Sequence, residues 1–198
     1  EIEHKNGTAK TLVGGYSEGM GAVHGNHVAI SGGTVKTVYG GQHNGLDEGS
    51  ATGNRVTVTG GTVKDICGSY VSSLPSAVTD NIVTIAGGTV TGSVYGGKSD
   101  GGGKTTRNTV NLGDAETGMK TGANLSGSSI YGGSNDADVS GNILNVNGAG
   151  ITVKTARNFE TYNFNLNTSV SYGATMLTMT NADGFGAGKS VQWGNVTL

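Results

Sequence analysis

The sequence predicts an all-β fold, a parallel right-handed β-helix built from coils of about 27 residues. Glycine contributes 38 of the 198 residues and proline one, which disfavours helices because each helical glycine costs roughly 1 kcal/mol. Valine, isoleucine and threonine recur in short alternating runs that are typical of strands. A motif also repeats along the chain, and the repeat is the strongest of the three observations.

The repeated motif is clearest in three successive copies. Residues 25–41 read GNHVAISGGTVKTVYGG, residues 53–69 read GNRVTVTGGTVKDICGS, and residues 80–97 read DNIVTIAGGTVTGSVYGG. Partial or degenerate copies lie at 11–19, 107–112, 128–133 and 141–153. One asparagine anchors each of five copies, at spacings of 28, 27, 27 and 34 residues: Asn26, Asn54, Asn81, Asn108 and Asn142.

Each copy predicts three short strands and a loop. In the first strand, Asn-x-Val-x-Ile alternates, so that Val28 and Ile30 share one face. A Gly-Gly pair provides the first corner, and a second strand carries Val35. The third strand carries Val38 and Tyr39 and ends at another glycine-rich corner. Variable segments of roughly ten residues then return the chain to the next asparagine, over 42–52, 70–79, 98–106 and 134–140.

Stacking gives the repeated residues a physical role, because one unit cannot bury its own apolar face and stacked units can. We expect each anchoring asparagine to adopt the left-handed conformation at a corner and to bond the equivalent amide one coil away. We expect Tyr39, Tyr95 and Tyr131 to form a second column, in which Cys67 takes the place of a tyrosine. A β-sandwich is the competing architecture, but it does not explain why GGTV recurs verbatim three times.

The chain divides into two parts of one domain. Residues 1–154 contain the repeats, whereas 155–198 keep a β signal but lack the Gly-Gly corners. Two interpretations fit the second part: a cap that seals the open end of the stack, or further irregular coils. We expect irregular coils.

Charge and composition exclude several classes of function. The formal net charge is −2 and lysine and arginine do not cluster, so we expect no nucleic-acid partner. No apolar run reaches the roughly 18 residues of a membrane helix. Histidine, cysteine and acidic residues are not spaced as a zinc site requires, and we expect neither a metal nor a cofactor.

Candidate binding residues are the acids of the return loops: Asp47, Glu48, Asp100, Asp136 and Asp138. Stacking would place these loops on one side of the rod as an acidic groove. Glycoside hydrolysis needs two carboxylates within roughly 5 to 10 Å, and loop acids also keep a glycine-rich rod soluble. We therefore expect no enzyme, with a β-helix polysaccharide lyase or hydrolase as the alternative. Whether Asp136 and Asp138 bind calcium stays open at this point.

The repeat GN-x-V-x-I-x-GGTV-x-x-VYGG and the stretch NFETYNFNLNTSVSYGATMLTMTN at 158–181 resemble the passenger region of autotransporter proteins of Gram-negative bacteria. The resemblance covers nearly the whole chain. It implies a secreted, adhesin-like virulence factor at the cell surface, attached in the full protein to an outer-membrane barrel that this fragment lacks. No residue here matches the catalytic domains that some passengers carry.

The function expected from this resemblance is structural and adhesive. A rigid rod would display loops that bind host surface glycans, matrix proteins or a neighbouring copy of the passenger. No part of this fragment is expected to insert into a membrane.

Overall fold

Parallel strands stack into a β-solenoid of about six turns in the computed structural model, with coils about 27 residues apart. The structure describes residues 1–45, 49–72, 75–181 and 183–185, and the backbone of 192–193. Every regular element in these ranges is a strand, so the predicted all-β fold of stacked parallel coils is confirmed. No helix within them has the length and hydrophobicity needed to cross a bilayer.

The strands in chain order are β1 Ile2–His4, β2 Thr8–Val13, β3 Tyr16–Ser17, β4 Val23–His24, β5 His27–Ile30, β6 Thr34–His43, β7 Ala51–Thr52, β8 Arg55–Val71, β9 Val78–Thr79, β10 Ile82–Val90, β11 Ser93–Tyr95, β12 Lys98–Ser99, β13 Thr109–Leu112, β14 Ser129–Tyr131, β15 Ile143–Val146, β16 Ile151–Val153, β17 Thr155–Arg157, β18 Thr161–Phe164, β19 Leu177–Met179 and β20 Gln192–Trp193.

The first side of the solenoid is the Asn-x-Val-x-Ile strand of each coil. It contains β1, β5, the start of β8, the start of β10, β13, β15, β18 and β20, all parallel. Equivalent positions of successive coils face one another across the ladder, so alternate side chains form inward columns. One such column contains Val28, Val56, Val83, Val110, Leu144 and Tyr162, all of them buried.

The second and third sides follow in the same manner. The second side pairs Ala9, Val35, Val63 and Val90, and the third side pairs Leu12, Val38, Ile66, Val94, Ile130 and Ala156. In the coil of Asn54 all three sides form one continuous strand, β8. Together the inward residues of the three sides make a single apolar core along the axis.

A fourth side lies in segments that the sequence analysis treated as loops. Strands β4, β7 and β9 form a separate three-stranded parallel sheet, two residues wide. Its inward residues Ala51 and Val78 pack with Val71 in a small second core. Two-residue strands are too short for alternation to reveal them in the sequence.

Glycine is required where the chain turns from the first side to the second. The second glycine of each Gly-Gly pair has a positive φ, for example +77° at Gly61. A Cβ on Gly61 would lie 2.7 Å from the carbonyl oxygens of Gly32 and Gly33 in the preceding coil. Both the conformation and the close approach therefore exclude a larger residue at this corner.

The corner before the first side differs from the prediction. None of the five anchoring asparagines has a positive φ. The residue before each asparagine has it instead, and these residues are Gly25, Gly53, Asp80, Arg107 and Gly141. The expectation of left-handed asparagines was therefore wrong. The bend is completed one residue earlier, which lets the asparagine begin the strand with its amide directed along the stack.

The asparagines form a ladder that runs through the solenoid. The backbone N–H of Asn26 donates to Oδ1 of Asn54 (2.9 Å), and Asn54 repeats this with Asn81 (3.0 Å). Asn81 donates to Asn108 and Asn108 to Asn142 in the same way. Nδ2 of the first four asparagines also donates to Oδ1 of the next asparagine, at 2.9 to 3.4 Å. From Asn54 onward these side chains are buried.

The same side chains bind the end of each return segment. Nδ2 of Asn54 donates to the carbonyl oxygen of Val23 (2.9 Å), and Nδ2 of Asn81 to that of Ala51 (3.1 Å). Nδ2 of Asn108 repeats the contact with Val78 (3.1 Å). One amide thus joins the fourth side of one coil to the first side of the next, which fixes the register of the stack.

Parallel pairing of strands continues beyond residue 154, whereas the asparagine ladder ends at Asn142. Strand β17 pairs with β14, β18 with β15 and β19 with β16. Glu160 follows Asn142 in the stack, and its Oε2 accepts a hydrogen bond from the backbone of Gly141 (2.6 Å). Aromatic rings fill the core at this end, with Tyr162 in edge contact with Phe159 (5.6 Å) and with Phe185 (5.1 Å).

The ladder predicts a large loss of stability on replacement of one buried amide. Asn54→Ala removes the acceptor of the part-buried N–H of Asn26 and the side-chain donors to the buried carbonyl of Val23 and hydroxyl of Ser69. Each such group costs about 1 to 3 kcal/mol, so we expect a loss of about 3 kcal/mol in the free energy of unfolding. Denaturant titration measures it.

Asn111→Ala is the matched control, because Asn111 lies on the outer face of the same side and is half-buried. Its loss should cost less than about 1 kcal/mol. Equal midpoints for Asn54→Ala and the parent chain would contradict a structural role for the ladder.

Candidate functional site

The third side presents an outward column of aromatic residues. Val13, Tyr39, Cys67, Tyr95, Tyr131 and Arg157 occupy the same register position in successive coils. Parallel in-register pairing places neighbouring members about 4.8 Å apart, which is close enough for rings to stack. Tyr95 and Tyr131 do stack, with centroids 4.8 Å apart and an interplanar angle of 16°.

Cys67 interrupts this column. Tyr39 is separated from Tyr95 by the coil that carries Cys67, and it stacks instead on Tyr70. The centroids of Tyr39 and Tyr70 are 5.2 Å apart, at an angle of 21°. In backbone register Tyr70 pairs with Lys98, so its ring leans across the third side to reach Tyr39.

A pocket remains around Cys67, with a volume of about 290 Å³. We call it the aromatic notch, and its lining residues are Thr37, Tyr39, Asp65, Cys67, Ser93, Tyr95 and Lys98. Strands β6, β8 and β11 each contribute two of them at a spacing of two residues, as outward positions of adjacent coils. Rigid strands therefore position almost the whole lining.

Lys98, Asp100 and Tyr70 form a polar cluster at one edge of the notch. Nζ of Lys98 lies 2.8 Å and 3.0 Å from the two carboxylate oxygens of Asp100, and Tyr70 donates its hydroxyl to Oδ2 (2.8 Å). Nζ also lies 4.9 Å from the centre of the Tyr70 ring, within range of a cation–π contact. The cluster adds side-chain bonds between two coils whose backbones also pair here.

The cluster shifts the pKa values of its members. Burial raises the pKa of Asp100, but the hydrogen bonds from Lys98 and Tyr70 outweigh it and hold this pKa below its usual value. Burial and the hydrogen bond to Asp100 raise the pKa of the Tyr70 phenol. At neutral pH the carboxylate is thus charged and the phenol is protonated, so neither group is set to exchange a proton.

Of the predicted loop acids that the structure describes, Asp100 is the one that lies at the edge of the aromatic notch. Asp138 is half-buried in the loop after β14, where Oδ2 accepts a hydrogen bond from Asn135 (3.2 Å). Asp136 is exposed in the same loop. Asp47 and Glu48 lie outside the residues that the structure describes.

Sequence reasoning missed Tyr70, Lys98 and Asp65. Tyr70 and Lys98 were placed in variable return segments, although each follows the outward column position by three residues in its own coil. Aligning the coils on that column would have brought them together. Asp65 precedes Cys67 by two residues, so it shares the outward face of β8.

A second ladder of amides also escaped the sequence analysis. On the outer face of the first side, Asn163 donates to Asn145 and Asn145 to Asn111, both at 2.8 Å. Asn111 then donates to the hydroxyl of Thr84 (3.0 Å). Thr84, Asn111 and Asn145 border a polar pocket of about 240 Å³ beside Asp114.

The part of the chain that the structure describes contains no cluster of metal-binding side chains. No three His, Cys, Asp or Glu residues there lie close enough together to hold an ion. In the loop that contains Asp136 and Asp138, Oδ1 of Asn135 accepts the backbone N–H groups of residues 137 and 138 (2.9 and 3.1 Å). This is the hydrogen-bonding pattern of a side-chain-stabilised turn.

Comparison with known proteins leaves the site to be interpreted from its own geometry. No family model, curated protein or solved structure matches the chain.

The thiol at the centre of the notch should be unreactive. Cys67 is 5 % exposed, and burial raises the pKa of its thiol to about 12. Because the thiolate is the reactive species, we expect iodoacetamide at pH 8 to label the native chain at least about a hundredfold more slowly than the denatured chain. Mass spectrometry over a time course measures both rates.

The control for this experiment is a chain with Cys67→Ala and Tyr172→Cys, since residue 172 is fully exposed. It should be labelled rapidly in the native state. Fast native labelling of Cys67 would show that the third side opens readily, against the packing described above.

Proposed function

We propose that this chain is an adhesive display segment of a longer surface protein, of the kind found in autotransporter passengers. The observation that carries the proposal is the aromatic notch with its bordering cluster, which rigid strands hold on the outside of the solenoid. Exposed aromatic faces beside hydrogen-bonding groups are typical of recognition surfaces. The partners that fit are glycans or proteins of a host surface.

The ladder supports a role in display. Five asparagines connected through backbone and side-chain amides make the coils a continuous rod, so a ligand pulling on one coil acts on the whole stack. A low cysteine content suits export through an outer membrane in an unfolded form. The proposed location is therefore the outside of a Gram-negative cell.

Catalysis receives less support than binding. A glycosidase acid needs a pKa raised toward neutrality, and the pKa of Asp100 is held low by Lys98 and Tyr70. The raised pKa of Tyr70 makes its phenolate scarce at neutral pH, so it is a poor base. A carbohydrate-active enzyme remains the alternative that the experiment below must exclude.

The test is an adhesion assay with the purified chain on microspheres. We expect coated spheres to bind cultured epithelial cells at least fivefold more than albumin-coated spheres. The double variant Tyr39→Ala/Tyr95→Ala should lose most of this binding because it removes both tyrosine rings that line the notch. Tyr172→Ala, which changes an exposed tyrosine elsewhere, should keep it.

Binding no stronger than that of albumin would overturn the adhesive role. Release of reducing ends from polysaccharides by the same preparation, lost in Asp100→Asn, would instead establish the enzyme.

A further inference from the structure

The aromatic notch lies in the coil where the column has Cys67 in place of a tyrosine, beside the Tyr70 ring that stacks on Tyr39. Tyr39 and Tyr95 lie two coils apart, and Cys67 occupies the register position between them. Tyr131 covers one face of Tyr95, and the opposite face of Tyr95 is directed toward the coil of Cys67. The Tyr95 ring therefore borders the notch, with Nζ of Lys98 6.0 Å from the ring centre.

The other wall of the notch is polar. Thr37, Asp65 and Ser93 line it, two residues before the aromatic column in each coil. Oδ1 of Asp65 accepts the backbone N–H of Ser93 (2.9 Å), and Oδ2 lies 3.7 Å from Nζ of Lys64. An ionised carboxylate has about four acceptor positions, so Asp65 retains capacity for hydroxyl donors of a ligand.

The charges around the notch are balanced. Lys98 is paired with Asp100, and Lys64 lies against Asp65. These two cations and two carboxylates leave no net positive charge to offset an anionic ligand. An uncharged ligand avoids the cost of breaking either pair.

The size of the notch restricts the ligand further. Small-molecule sites commonly measure about 300 to 1,000 Å³, and the notch, at about 290 Å³, lies at the lower limit. It has room for one ring of a larger molecule. One flat apolar wall, one wall of hydroxyl and carboxylate groups and no net charge match a saccharide ring, which has apolar C–H faces and an edge of hydroxyls.

We propose that the aromatic notch binds one neutral pyranose unit of a glycan, stacked on Tyr95 and donating hydroxyls to Asp65. This inference rests on the proposed adhesive function and names its ligand class. Acidic sugars such as uronates and sialic acids are excluded because the carboxylate of Asp65 would repel the carboxylate of the sugar.

The decisive variant is Cys67→Tyr, because its ring would occupy the notch beside the Tyr70 ring that stacks on Tyr39. Tyrosines already occupy the equivalent position in the coils on both sides, so the backbone accepts this residue there. Cys67→Ala is the control, since it removes the thiol and leaves the notch open. Thermal unfolding followed by circular dichroism establishes that both variants fold.

Binding is measured by titration calorimetry and saturation-transfer NMR with cellotetraose, maltotetraose and chitotetraose as neutral probes. Oligogalacturonate and sialyllactose serve as acidic probes. We expect the parent chain and Cys67→Ala to bind at least one neutral probe within twofold of each other. Cys67→Tyr and Asp65→Asn should each weaken that binding at least tenfold.

If Cys67→Tyr does not fold, Tyr95→Phe and Tyr95→Ala replace it. The phenylalanine variant should retain binding because it keeps the ring, and the alanine variant should lose at least tenfold. Equal binding by all variants, preference for the acidic probes, or no binding of a neutral probe at millimolar concentration would each overturn the inference. If spheres coated with Cys67→Tyr still adhere to cells, the adhesive function is supported and the notch is not the site that binds a sugar.

Discussion

The structure depends on one repeated interaction, the hydrogen bonds that each anchoring asparagine makes to the next coil. Oδ1 of the asparagine accepts hydrogen bonds from both the backbone N–H and Nδ2 of its predecessor, while its own Nδ2 donates to a fourth-side strand about 30 residues earlier in the chain. A corner of a solenoid has no regular ladder to satisfy its backbone groups, and burying them unpaired would be costly. The ladder satisfies them from inside and fixes the register of every side at once.

Register in turn determines the outer surface. Because equivalent residues of successive coils are neighbours, each outward position becomes a column whose chemistry is repeated along the rod. A single departure from the repeat therefore creates a local feature. Cys67 stands where the adjacent coils have tyrosine, and the notch between Tyr39 and Tyr95 is the result. A binding site can arise here from one smaller residue in a regular column, without an added loop.

The sequence was sufficient for the fold because the repeat encodes it directly. Alternation at Val28 and Ile30 predicts the first side, and the recurrence of Asn26, Asn54 and Asn81 predicts stacking in register. The fourth side was not predictable, since β4, β7 and β9 have two residues each. The sequence analysis placed the residue with positive φ at the asparagine, one position too late, because the asparagine and the residue before it are both of types that occur at corners. The polar cluster at the edge of the notch depends on Tyr70 leaning across the third side, a side-chain placement that the spacing of residues does not predict.

Hydrogen exchange of the asparagine backbone amides tests the central claim most directly. The N–H groups of Asn54, Asn81 and Asn108 are bonded to side-chain oxygens rather than to a strand, and such corner amides ordinarily exchange through small local openings. If the ladder holds the coils together, NMR will show these amides exchanging as slowly as that of Val83 in the core, through global unfolding. Exchange a hundredfold faster than that of Val83 would show that the corners open independently and would contradict the account.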